Sequence, residues 1–357
     1  MARAKQRILL IYSPWTTFTK ADYDILSSKY DVTKYQFKPE KGIIKVGIEF
    51  VKQFFYLAIN YRKFDVFFTW FAGYQSFWPV FFAKIFNKKT LLIIGGYDAV
   101  SIPQIKFGLF YKKNLRALLG KLSYRFGDYI LPVDDSLINS MNYYINPKGE
   151  PQGFMNFVRK TNGIVKTVPT GYNEHYWRRL DLPQKGDVIT VGVCYDEKVF
   201  LRKGHDIFLM LAENMPELNF TLVGVAMPLL EEMQIKVPPN VNILSFVSQD
   251  SLRELFSTHK VFTQLSMSEG LPNTLCEAML CGCIPVGSEV NGIPLAIGET
   301  GFVIKKKDVR EAKEAVTRAI KRNDRLSPRA RILELFHENN RINALTNIID
   351  ELKPSKI

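Results

Sequence analysis

Histidine and cysteine are scarce, four of each in 357 residues. The cysteines, Cys194, Cys276, Cys281 and Cys283, make no C-x-x-C pair, and no histidine has metal-ligand spacing. A zinc site of ordinary spacing is therefore absent. The cysteines read as small buried apolar residues of a reducing compartment. No G-x-G-x-x-G follows a strand pattern and no G-x-x-x-x-G-K-[ST] occurs, which argues against a dinucleotide enzyme and a P-loop NTPase. Low-complexity tracts and solenoid periods are missing. Val66 to Ala83 carries no charge, but Gly73, Gln75, Ser76 and Pro79 interrupt it. It reads as a strand, a glycine turn and a buried helix rather than a membrane span. At the N-terminus the apolar run Ile8–Tyr12 is too short for a signal-peptide core and reads as a first buried strand.

Acid is the other shortage, and it is local. Residues 1–170 hold 25 Lys and Arg against 11 Asp and Glu, whereas the remainder holds 23 against 24. The whole net charge of +13 therefore comes from the first half. Such asymmetry points to an anionic partner for that half: a membrane surface, an acidic glycan or a nucleic acid. No nucleic-acid reading motif accompanies the charge.

With 46% apolar and 23% charged residues the chain is globular, and its length suits two domains. Short apolar runs alternate with helical stretches. Strands are expected at Ile8–Tyr12, Val32–Phe37, Val66–Trp70, Thr90–Ile94, Tyr129–Pro132 and Ile164–Val168. Helices are expected near 19–29, 43–60, 75–86, 108–126 and 134–144. The pattern restarts at Asp187, with strands at Val188–Val193, Phe220–Val223, Val241–Leu244, Val261–Gln264, Ile284–Val286 and Gly301–Ile304. Helices near 204–214, 228–235, 250–257, 273–281 and 308–322 go with them. Near-continuous apolar strands alternating with helices imply two doubly wound parallel sheets in tandem. Domains of 1–170 and 171–334 follow, joined by the polar stretch Thr170–Gly186, with a helical tail of about 335–357.

The densest chemistry lies in Ser268–Gly287, SEGLPNTLCEAMLCGCIPVG. Glu269 and Glu277 stand eight positions apart, flanking a turn and the start of a helix. A helix N-terminus offers free N–H groups and partial positive charge, a place for phosphate. Each carboxylate could accept hydrogen bonds from a vicinal diol. Phosphate between two sugars describes a nucleotide-sugar. A purely structural alternative exists: Thr274 and Glu277 fit an S/T-x-x-E capping box, and Glu269 fits a solvated loop acid.

The segment resembles the E-x7-E motif of retaining glycosyltransferases of family 4, which have the GT-B fold. The match runs on through Glu277-Ala278-Met279, Gly282, Pro285-Val286, Gly292-Ile293-Pro294 and Gly301-Phe302-Val303. The resemblance implies two Rossmann-like domains facing one cleft, with the last helix crossing back onto the first domain. It places the donor on the second domain and the acceptor on the first. Glu277 would hold the ribose, and Glu269 the transferred sugar. Lys203, Arg202 and the segment Gly270, Leu271, Pro272, Asn273 and Thr274, through every backbone N–H but that of proline, which has none, would hold the diphosphate, with Lys203 entering the first helix of that domain. The family's Arg after the first strand's glycine is replaced here by Val193, and Arg202 is the candidate substitute. Gly224 and Val247 lie in loops that approach the base. On the acceptor side the resemblance points to Gly96, Tyr97 and Asp98, where the family often has a His that this chain lacks, and to the first loop with Trp15; Asp98, as a catalytic candidate, and Tyr97 would touch the sugar or acceptor, and a plain turn is the equal alternative. No general base is assigned. In this class the leaving phosphate itself would take the acceptor proton.

Asp22-Tyr23-Asp24 spells a D-x-D, but inside a helical stretch rather than after a strand, so no metal or other cofactor is expected. The expectation is a metal-independent, retaining hexosyltransferase of cell-surface glycan or lipid-linked oligosaccharide synthesis. It would be cytoplasmic and peripheral on the inner face of the membrane. Rival readings are an epimerase or phosphorylase on the same fold, and a non-catalytic protein that binds anionic polymers or membranes.

Overall fold

A computed structural model describes residues 5–38 and 42–352. Lys41 and the end of the expected tail, 353–357, lie outside the described residues. The first sheet contains β1 (Arg7–Tyr12), β2 (Asp31–Gln36), β3 (Val66–Trp70), β4 (Lys89–Ile94) and β5 (Tyr129–Pro132). A small antiparallel pair, β6 (Ser140–Asn142) and β7 (Glu150–Gln152), precedes its last strand, β8 (Ile164–Val165). The order is β2-β1-β3-β4-β5-β8 and every pairing is parallel. Helices α1 (Thr17–Lys29), α2 (Ile43–Asn60), α3 (Tyr74–Ile85) and α4 (Leu115–Phe126) cover it.

The second sheet contains β9 (Gly186–Val191), β10 (Phe220–Val223), β11 (Val241–Leu244), β12 (His259–Gln264), β13 (Ile284–Ser288) and β14 (Phe302–Ile304). Its parallel order, β11-β10-β9-β12-β13-β14, is the six-strand doubly wound order. Its helices are α5 (Glu197–Lys203), α6 (His205–Glu213), α7 (Met227–Glu232), α8 (Gln249–Thr258), α9 (Asn273–Leu280), α10 (Ile293–Ile297) and α11 (Val309–Lys321). The tail forms α12 (Ser327–Phe336) and α13 (Glu338–Glu351). The two sheets, the helices on them and the returning tail make this a GT-B fold.

Local chemistry explains the elements. Ile8, Leu9, Leu10 and Ile11 are all fully buried, as a strand covered on both faces requires. Side-chain oxygens of Thr16, Ser248 and Asp308 cap α1, α8 and α11. The tail reaches the first domain through α13. There the Arg341 guanidinium grips Asp22 at 2.6 and 2.7 Å, and Asp22 also accepts from the Trp70 indole at 2.9 Å. Tyr30 donates to Asp350 at 2.8 Å.

Three expectations need correction. Residues 134–144 are not a helix: Asp134 accepts from the Ser136 amide at 2.9 Å, which starts a short turn that runs into β6. Asp and Ser side chains that bond the local backbone compete with helix. The helix expected over 108–126 begins only at Leu115, where Asn114 caps it by accepting from the Ala117 amide at 3.0 Å. Finally α5, absent from the expectation, precedes α6.

Doubly wound sheets bind ligands where neighbouring strands send their connections in opposite directions. These switch points are β1/β3 and β9/β12. The loops after those strands face each other across the cleft.

Candidate active site

The loop between β12 and α9 carries Glu269. Its Oε1 accepts from Lys203 Nζ at 2.7 Å and Ser266 Oγ at 2.8 Å, with Arg202 Nη1 at 3.5 Å. The Glu269 amide donates to Asn291 Oδ1 at 3.1 Å, and Arg202 donates to the Ser268 carbonyl at 3.2 Å. Burial alone would raise the Glu269 carboxyl, but Lys203 and Arg202 hold it below its ordinary value. Burial pulls the Lys203 ammonium down, against the support of Glu269. Two cations and one carboxylate form one buried group, with a positive charge in excess, beyond the end of β12.

Lys203 ends α5, and Lys203-Gly204 leads straight into α6, whose N-cap is Gly204. Gly204 follows with φ +74 and joins α5 to α6. A Cβ there would lie 2.0 Å from the Leu265 carbonyl oxygen, so only glycine brings Lys203 this close to the Glu269 loop.

Glu277 has a different environment. The capping box does not form: Pro272 is the cap of α9, with no side-chain bond, and Thr274 Oγ1 donates to Gln264 Oε1 at 3.3 Å. Glu277 is buried, and among the described residues no side-chain hydrogen bond reaches its carboxyl. Burial pushes it up to about 8. It lines an interdomain cleft of about 300 Å³ with Asn273, Tyr172, Tyr176 and, from α1, Thr17 and Phe18. Tyr172 donates to Asn273 Oδ1 at 2.8 Å, fixing the first residue of α9.

A second interdomain cavity, of about 530 Å³, is lined by Glu269, Gly270, Arg202, Gly96 and Tyr97, and by Ser13 and Pro14 of the first loop. The domains touch here: a Cβ on Gly270 would lie 2.3 Å from the Gly95 carbonyl oxygen. Tyr97 accepts from Arg116 at 3.0 Å.

Several expected residues stand elsewhere. Asp98 is fully buried and accepts from the amides of Ala72, Gly95 and Gly96 at 2.9, 3.2 and 3.1 Å. Burial raises its carboxyl to about 6. It shapes the Gly95-Gly96 turn and does not line the cavity. Trp15 turns away to pack on Tyr12 and under the Lys34 ammonium. Gly224 packs on Gly192, and neither it nor Val247 lines either cavity. Leu271 is buried core. Val193 is exposed, and Arg202 stacks on the Phe107 ring at 4.8 Å beside Glu269. Asp24 pairs with Lys20 at 2.8 Å on the surface, well apart in role from buried Asp22.

Residues 187–322 match the family model Glycosyl transferases group 1. The second domain is thus similar to group 1 glycosyl transferases. This domain carries both glutamates and Lys203. The chain is 25% identical over 202 residues to the N-acetyl-alpha-D-glucosaminyl L-malate synthase of Bacillus anthracis, covering 52% of this chain and 49% of that one. It is 24% identical over 267 residues to the trehalose synthase of Thermococcus litoralis, covering 69% and 60%. The chain thus matches 49% and 60% of the length of these relatives, less than two thirds of either. Among solved structures, sucrose-phosphate synthase from Thermosynechococcus elongatus superposes with a TM-score of 0.73 at 14% identity, covering 98% and 99% of the two chains. The Anabaena protein HepE in complex with UDP and glucose gives 0.68 at 12% identity, covering 97% and 100%. These superpositions cover nearly the whole chain and show the GT-B fold.

Sequence reasoning missed Ser266 and Asn291, which orient Glu269, Tyr172, which orients α9, and Arg116. The Asn291-Gly292 turn was the available signal for one of them. Asn291 takes φ +47, and its side chain holds the Glu269 amide.

Proposed function

We propose that the chain transfers a hexosyl group from a nucleotide-sugar to an acceptor hydroxyl, with retention of the anomeric configuration and without a metal. The observation that carries this reading is Glu277: a buried carboxyl with no side-chain hydrogen bond among the described residues, facing a cleft at the start of α9. A ribose diol would supply the hydrogen bonds it lacks. Lys203, Arg202 and the first amides of α9 would hold the diphosphate, and fixed cations there stabilise the charge that builds as the nucleotide leaves. Glu269, held in place by Lys203 and Ser266, would meet hydroxyls of the sugar in the neighbouring cavity. The UDP and glucose bound by HepE on the same fold favour a donor of this class.

The acceptor belongs to cell-surface glycan or lipid-linked oligosaccharide synthesis in this reading, and the first domain docks on the inner face of an anionic membrane. Support comes from three adjacent helices of that domain, with α3 packed between α2 and α4. They expose Ile44, Ile48, Val51, Phe55 and Ile59, then Phe81 and Ile85, then Leu115 and Leu118. Lys45, Lys52, Lys84 and Lys121 lie among them. Apolar side chains interleaved with cations suit an interfacial surface. Among the described residues no helix is long and apolar enough to cross a membrane.

Product analysis tests the chemistry. After exhaustive chelation, the transferred sugar should retain its anomeric configuration by NMR at an undiminished rate. An inverted product, or activity lost on chelation and restored by manganese, contradicts the proposal. Release of an epimerised nucleotide-sugar or a free sugar phosphate would instead indicate an epimerase or a phosphorylase.

A further inference from the structure

The 530 Å³ cavity contains more positive charge than donor binding uses. We infer that it binds an oxyanion carried by the acceptor, a phosphate or a carboxylate close to the hydroxyl that is glycosylated, and that Arg116 is its contact. The inference rests on the reading of this cleft as a glycosyl-transfer site, and it narrows the acceptor class.

Two guanidinium groups line the cavity. Arg116 stacks on the Tyr97 ring at 4.8 Å, Tyr97 meets Phe107 edge-on at 5.3 Å, and Arg202 stacks on Phe107 at 4.8 Å. The aromatic pair thus holds one cation on each side. Glu269 is the cavity's one lining carboxylate among the described residues, and Lys203 already compensates it. Among the described residues Arg116 has no acidic partner. Its Nη1 donates only to the neutral Tyr97 hydroxyl, and its Nε is buried without any hydrogen bond. A guanidinium presents five donors in a fixed fork that matches carboxylate and phosphate oxygens. The Nε packs toward Gly73, 3.4 Å from where a Cβ there would stand, so an oxyanion in the cavity would meet the terminal nitrogens of the fork. Arg116 also sits in the first turn of α4, where a cation opposes the helix dipole. A role confined to packing on Tyr97 would not explain the unpaired charge. Arg116 and Tyr97 come from the first domain, across the cavity from Glu269, so the oxyanion would arrive with the acceptor.

The test uses the full chain and four probes: inorganic phosphate, succinate, glycerol and UDP, each titrated at constant ionic strength by calorimetry. Wild type is compared with Arg116→Met and Lys203→Met. We expect phosphate or succinate, and not glycerol, to bind wild type and Lys203→Met, and to bind Arg116→Met at least tenfold more weakly. Whichever oxyanion is preferred tells phosphate from carboxylate. UDP should bind wild type and Arg116→Met alike and weaken with Lys203→Met. Oxyanion binding that is absent, or equal in wild type and Arg116→Met, overturns the inference. UDP that binds none of the three proteins overturns the donor reading instead, so the two failures are distinguishable. Circular dichroism confirms folding, and Arg116→Gln repeats the comparison if the methionine variant does not fold.

Discussion

At the residue scale, Glu277 carries the most readily measured consequence. Its carboxyl ordinarily titrates at 4.5, and burial moves it to about 8 in the free protein. A raised acid binds its proton more tightly folded than unfolded. Its contribution to stability is therefore complete below about pH 4.5 and is lost as pH rises through 8. Glutamine at this position cannot ionise. We predict that Glu277→Gln melts like the wild type at pH 4 and is more stable at pH 9, by roughly 1–3 kcal/mol, because only the wild type then carries a poorly solvated charge beside the cleft. Melting curves across that range decide it; a difference independent of pH would mean that Glu277 has a partner. Glu269 behaves oppositely because Lys203 and Arg202 adjoin it. The sequence places both glutamates in one loop-and-helix unit, but it does not tell a compensated carboxylate from an isolated one. That distinction depends on Gly204, which lets α5 deliver Lys203 from 66 positions away.

At the element scale, the strands were legible because parallel strands covered on both faces are nearly continuous apolar runs. β3, β5, β10 and β11 have the expected boundaries. Polar segments were less legible. Asp196, which accepts from the Val199 amide at 2.8 Å and caps α5, was a readable start signal. Residues 134–144 read as helical, yet their polar side chains serve contacts between domains: Asn142 donates to the Met267 carbonyl at 2.9 Å. No local pattern announces a partner that distant. The same holds for Asp22, which belongs to the tail and not to a metal motif. Arg341 and Asp22 are both almost fully buried. Removing one partner leaves the other as a buried unpaired charge, so Arg341→Met should destabilise the protein by about 3–5 kcal/mol. Asp22→Asn in the same chain should recover part of that loss. Denaturant titration of the single and double variants tests this. A single variant as stable as wild type would mean that the tail is held by its apolar contacts alone.

At the scale of the whole molecule, the basic excess of the first half and the apolar helices α2, α3 and α4 coincide on one domain. Each cation near an anionic surface contributes roughly 1 kcal/mol, so a handful suffices for reversible docking. Co-sedimentation with liposomes should therefore rise with anionic lipid content and fall with salt. Binding indifferent to both, or none, would leave the exposed helices without this role and favour a soluble acidic acceptor. The sequence predicts the GT-B architecture mainly through its second half, where the motif match is long. The first half contributes the pattern of strands, and no local pattern announces that its Arg116 and Tyr97 meet Glu269 of the second domain around one cavity.

The central claim is that the second domain binds a nucleoside diphosphate between Lys203 and Glu277. A thermal-stability screen of nucleotides and nucleotide-sugars tests it most directly. A nucleoside diphosphate at 100 times its dissociation constant should stabilise the wild type by about 2.7 kcal/mol. Lys203→Ala and Glu277→Ala, both folded, should respond only at much higher concentration. If no nucleotide stabilises the wild type, or if both variants respond as the wild type does, the site is not a donor site.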